Sequence, residues 1–80
     1  MKVTKGQQYA LTIKPAKMVD GRQPSARVVV RITKASEYSC QYEVVRVESV
    51  TAFGFPAGVP KVGGFALSAA ALALLDVQPA

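Results

Sequence analysis

The chain has 80 residues, 50% of them hydrophobic, a formal net charge of +5, one cysteine and no histidine. The apolar content excludes a disordered chain, which lacks the surface to offset its ordering entropy, and the length allows one small domain that buries about two-thirds of its unfolded surface. A lone Cys40 without histidine excludes an internal disulfide, a zinc site and a Cys-His nucleophile.

Residues 1–6 read as a polar lead-in and are expected to be a flexible end. Across residues 7–14, Tyr9, Leu11 and Ile13 alternate with Ala10, Thr12 and Lys14, which predicts a strand. Pro15 ends it, because proline has no N–H for a ladder. Residues 15–26 form a long connection with Pro15, Pro24 and the turn pair Asp20-Gly21, and Met18 and Val19 suit a short strand lip before that turn.

Residues 27–47, RVVVRITKASEYSCQYEVVRV, are the longest β-favouring run. Val28, Val30 and Ile32 alternate with Arg27, Val29, Arg31 and Thr33, so one face is aliphatic and the other mostly polar. After a break at residues 34–37, Tyr38, Cys40, Tyr42 and Val44 share one parity, whereas Val45 and Val47 share the other. A one-residue slip would turn every later side chain over, so a β-bulge is predicted at Val44–Val45, bending the second arm of a hairpin. The same parity places Tyr38, Tyr42 and a small, buried Cys40 in the core, and puts Lys34 on the Val28 face unless the strand has ended by then.

Residues 48–55 read as another short strand, Phe55-Pro56-Ala57-Gly58 as a tight turn, and Val62 with residues 65–67 as the returning strand. The glycine-rich stretch 54–64 lacks the Lys-Ser/Thr pair of a phosphate-binding loop and the spacing of a dinucleotide fingerprint. Ser68 is positioned to cap a short helix, with Leu67 and Leu72 at hydrophobic-staple spacing and Leu72 and Leu75 on one face. Residues 77–80 read as a flexible tail.

This order of elements predicts an all-β domain spanning residues 1–80. The expected form is a small SH3-like barrel of about five short strands with a C-terminal helical turn, the alternatives being an OB-like barrel or a helix-capped open antiparallel sheet. No run of apolar residues approaches the roughly 20 that a membrane-spanning helix needs, and the N-terminal residues hold no apolar segment of the secretory kind. The expectation is a soluble, cytoplasmic protein without a membrane partner.

Charge is distributed unevenly. Residues 1–34 carry eight cations against Asp20 alone, a balance of +7, and residues 35–80 carry Arg46 and Lys61 against four carboxylates, a balance of −2. Neither a catalytic nor a metal- or cofactor-binding constellation is present in the sequence, so no enzyme is expected. A basic face of Lys14, Lys17, Arg22, Arg27, Arg31 and Lys34 instead predicts a binding module that contacts a nucleic-acid backbone or an acidic protein surface. The alternative is a protein-protein adaptor or inhibitor, of the accessory kind that phages and mobile elements carry, using loops 15–26 and 54–64. Surplus apolar surface and strand edges make self-association a further expectation.

Overall fold

The structure is a computed structural model that describes residues 2–14, 21–51 and 58–80. Strands β1 (Gln8–Ile13), β2 (Ala26–Ala35), β3 (Ser39–Val50), β4 (Val62–Ala66) and β5 (Gln78–Pro79) form one antiparallel sheet in the order β4-β3-β2-β1-β5, and helix α1 (Ala69–Leu74) precedes β5. Among the described residues no ladder joins β4 to β5, so the sheet is open and closure into a barrel is not seen. The strand read at residues 48–55 is, as far as Val50, the end of a continuous β3. Lys17, the Met18–Val19 lip and the turn at residues 55–57 lie outside the described residues.

Alternation decides the core. Tyr9, Leu11, Val28, Val30, Ile32, Cys40 and Tyr42 are buried together, with Ile13, Val44, Phe65, Leu67, Leu72 and Leu75 packed against them. Val29 is also buried, yet it belongs to the opposite face. Its neighbours there are Arg27 and Arg31 along β2 and Arg46 across the β3 ladder, whose aliphatic stems can cover it while their charged heads stay in water.

Three bulges set the shape of the central hairpin. Val29 pairs with Arg46 and Val30 with Val44, which leaves Val45 unpaired at the position expected from the parity change. Two further shifts were not legible in that pattern: Glu48 is skipped between Val47 and Ser49, and Thr33 is skipped between Ile32 and Lys34. The Thr33 bulge sets the face on which Lys34 stands. Lys34 pairs with Gln41, the neighbour of core-facing Tyr42, so it joins Arg31 on the outer face rather than Val28 on the inner one.

The chain ends are tied to the sheet. Tyr9 Oη accepts from the Thr4 amide at 2.9 Å and donates to the Lys2 carbonyl at 3.2 Å, Val3 is buried, and the Gly6 amide donates to the Ile32 carbonyl at 2.8 Å. Residues 78–79, expected as tail, are strand β5, paired with Tyr9 and Ala10. A two-residue strand containing Pro79 carries no periodic signal, which is why alternation misses it.

Helix α1 is built as the sequence predicts. Ser68, extended at φ −71° and ψ 152°, accepts from the Ala71 amide through Oγ at 3.1 Å. At the other end Asp76 takes a left-handed φ of 49°, its amide donates to Ala73, and the Val77 amide donates to Leu72. This is a Schellman closure with aspartate where glycine is usual. Arg27 supports the unusual residue, donating to the Asp76 carbonyl at 2.7 Å and lying 3.5 Å from its carboxylate.

Two titratable core groups, Cys40 and Tyr42, give the fold a pH dependence. Burial pushes the Cys40 thiol above its ordinary 9.0, against a smaller pull from a Phe65 backbone hydrogen bond. Burial, then the Cys40 charge, push the Tyr42 phenol above 10.0. Both groups hold their protons more tightly folded than unfolded, so their stabilisation is complete below the unfolded values and is lost as pH rises through the folded ones. Urea midpoints are expected to match between about pH 6 and 8 and to fall at about pH 10, with a shallower fall in Cys40→Val.

Candidate nucleic-acid interface

The outer face of the sheet carries Arg27 and Arg31 of the predicted set together with Arg46, and each is already engaged. Arg27 donates to Thr12 Oγ1 at 3.0 Å besides its contacts with Asp76. Arg31 pairs with Glu43, its cross-strand neighbour. Arg46 donates to Glu48 at 3.0 Å. The acidic second half of the sequence thus folds onto the basic first half, and the charge segregation read along the chain is largely cancelled on this face.

The remaining predicted residues divide between the two ends of the sheet. Lys14 follows β1 beside the start of β2, and Arg22 lies in the connection leading into β2. Lys34 is near the far end of β2, on the order of 25 Å from the Ala26 end at strand spacing. The five of the six residues that the structure describes are spread over both ends of the sheet.

A different cluster forms at the β2–β3 hairpin end. Ser36 Oγ donates to the Ser39 carbonyl at 3.0 Å and accepts from the Ser39 amide at 3.2 Å and the Tyr38 amide at 3.4 Å. The Ser36 amide also donates to the Ser39 carbonyl at 2.8 Å. A serine bonded in this way pins a tight turn. Behind it, the Tyr38 carbonyl accepts from the Leu67 amide at 2.9 Å. The backbone at Tyr38 is therefore held on two sides while the side chain stands 77% exposed.

This corrects the core placement of Tyr38. Parity holds only inside a strand, and β3 begins one residue later, at Ser39. Tyr9 and Tyr42 are buried as expected.

Lys5 reaches the same end from the N-terminus. The Gln7 amide donates to the Thr4 carbonyl at 3.1 Å, closing a turn with Lys5 and Gly6 at its centre. Gly6 has φ +87°, the left-handed value that the third position of a type II turn requires. Lys5 and Lys34 line a shallow groove of about 360 Å³ together with Ala35, Ser36, Ser39, Cys40 and Gln41. No ion pair of Lys5 or Lys34 is present among the described residues. Glu37, beside Tyr38, is the carboxylate within the turn.

Sequence reasoning missed Lys5 and Tyr38 as partners of Lys34. The signal available was the Ser-Glu-Tyr-Ser segment, two turn-forming serines around an aromatic; nothing local links Lys5 to residue 34. Among the described residues no group of three or more metal-ligating side chains comes together, and no helix is long and apolar enough to cross a membrane. Much of the loop surface invoked for an adaptor, residues 15–20 and 54–57, lies outside the described residues. No family model, curated protein or solved structure matches the chain.

Proposed function

We propose that the protein is a non-enzymatic module that binds single-stranded nucleic acid at the β2–β3 hairpin end. The observation that carries this reading is the exposed Tyr38 ring on a serine-pinned turn, beside a groove flanked by two lysines that have no carboxylate partner among the described residues. An aromatic platform accepts any base by stacking, and the lysines of the neighbouring groove neutralise phosphates of the same strand. The basic face was expected on Lys14, Lys17, Arg22, Arg27, Arg31 and Lys34; the pairing of Arg27 with Asp76 and of Arg31 with Glu43 argues for keeping Lys34 and joining it to Lys5 and Tyr38. Glu37 repels phosphate from its own side of the turn and directs the strand towards the lysine groove. The bent β3 and the element order also support reading the sheet as an opened SH3-like barrel.

Fluorescence anisotropy with a labelled single-stranded oligonucleotide tests this reading. Binding is expected to weaken with salt at a log-log slope of about −1.4, the value for two phosphate contacts on a single strand. Tyr38→Ala is expected to lose about 1–3 kcal/mol of binding with the salt slope unchanged. Lys34→Ala is expected to reduce the slope by about half, and Glu37→Gln to tighten binding. No binding at low salt, or full binding by Tyr38→Ala, would overturn the proposal.

A further inference from the structure

The two edges of the sheet are finished differently. Along β1, the outward backbone groups are occupied: β5 pairs with Tyr9 and Ala10, the Ala80 amide donates to the Gln8 carbonyl at 3.2 Å, and the Thr12 amide donates to the Leu75 carbonyl at 2.8 Å. The opposite edge is β4, and the bonds flanking it fix which of its groups face outward. The Val44 amide donates to the Lys61 carbonyl and the Leu67 amide to the Tyr38 carbonyl. By antiparallel alternation, residues 61, 63, 65 and 67 turn their backbone groups to β3. Val62, Gly64 and Ala66 therefore turn theirs away from the sheet, and among the described residues nothing meets them.

Natural edge strands are guarded by charge, proline, bulges or brevity. Val62–Ala66 has no charged residue and no proline, and its register with β3 runs without a shift. Val62 adds an apolar side chain, 68% exposed.

We infer that β4 pairs antiparallel with β4 of a second copy, about a two-fold axis at Gly64, to make a continuous sheet through both molecules. The sequence of the strand is self-complementary in this register. Gly64 faces Gly64, Val62 faces Ala66 of the second copy, and every outward N–H and C=O of both strands gains a partner. On the core face Gly63 lies opposite Phe65 of the second copy. The row then runs Tyr42, Gly63, Phe65, Cys40, so each aromatic meets a small residue. On the outer face no charge opposes a like charge within the paired span. An isologous contact of this kind closes on itself and stops at a dimer.

The test uses the full chain, by sedimentation equilibrium over a concentration series and by amide hydrogen exchange at matched concentrations. The mass is expected to rise towards twice the monomer value. The Val62, Gly64 and Ala66 amides are expected to slow in step, by about tenfold or more. Ala66→Pro removes an amide that points away from β3, where an edge strand tolerates proline; it is expected to stay monomeric with an unchanged circular dichroism spectrum. A wild-type monomer up to millimolar concentration overturns the inference. So does a dimer whose β4 amides exchange as fast as in dilute solution, or a folded Ala66→Pro that still dimerises. Should Ala66→Pro fail to fold, the wild-type exchange data decide alone.

Discussion

Leu11→Ala is expected to lower the stability of the domain by about 2–5 kcal/mol, read as a large drop in the urea midpoint. Leu11 is fully buried on β1 and pairs with the equally buried Val28 on β2, so the cavity left behind lies where the sheet has least freedom to collapse. A domain of this size is stable by only about 4–12 kcal/mol at typical per-residue values. The single truncation therefore removes about a sixth of the stability or more, and where the largest loss meets the lowest stability the chain unfolds. Val45→Ala is the contrast. Val45 is unpaired in the bulge and 44% exposed, and a truncation there is expected to cost within about 0.5 kcal/mol.

The second large effect falls on the two glycines of β4. A Cβ at Gly64 would sit 2.6 Å from the Cys40 carbonyl oxygen, and a Cβ at Gly63 would sit 2.5 Å from Tyr42 Oη and 2.7 Å from its ring. The obstacle at Gly64 is backbone of the β3–β4 ladder, which cannot move without opening that ladder. The obstacle at Gly63 is a side chain that can swing away, at the cost of leaving the core. Overpacking costs about 1–3 kcal/mol, against about 0.5–1 kcal/mol regained by replacing a flexible glycine. Gly64→Ala is expected at the upper end, with β4 detached, and Gly63→Ala below it. A double-mutant cycle separates the two causes. Tyr42→Ala absorbs most of the Gly63→Ala penalty and none of the Gly64→Ala penalty, since only the first pair shares a contact.

These residues also show how far the sequence is readable and where it stops. The strands β1, β2 and β4, the helix cap at Ser68 and the bulge at Val45 were legible because each leaves a local mark: alternation, a capping serine, a change of parity. The bulges at Thr33 and Glu48 left none, because lysine, threonine and glutamate are tolerated on either face near a strand end. Tyr38 was misplaced because alternation was carried one residue past the strand. Strand β5 was missed because two residues hold no period, and its place depends on the Asp76 turn and the Arg27 contact.

Charge counted along the chain ignores what the fold brings together. Asp76 lies 49 residues from Arg27 in sequence and within bonding distance in space. The Glu43 and Glu48 carboxylates likewise meet Arg31 and Arg46. Cations that find no such partner among the described residues carry the stronger claim to a ligand, and two of them, Lys5 and Lys34, meet only because the Gly6 turn and the Thr33 bulge bring them to one groove.

The most direct test of that claim is a residue-by-residue map of amide chemical shifts while a short single-stranded oligonucleotide is titrated into the labelled protein. Binding at the hairpin end predicts that the largest changes fall on residues 34–41 and on Lys5 and Gly6, with Arg27, Val29 and Arg46 left unmoved. Changes centred on Arg27, Val29 and Arg46, or no changes at saturating oligonucleotide and low salt, would contradict it.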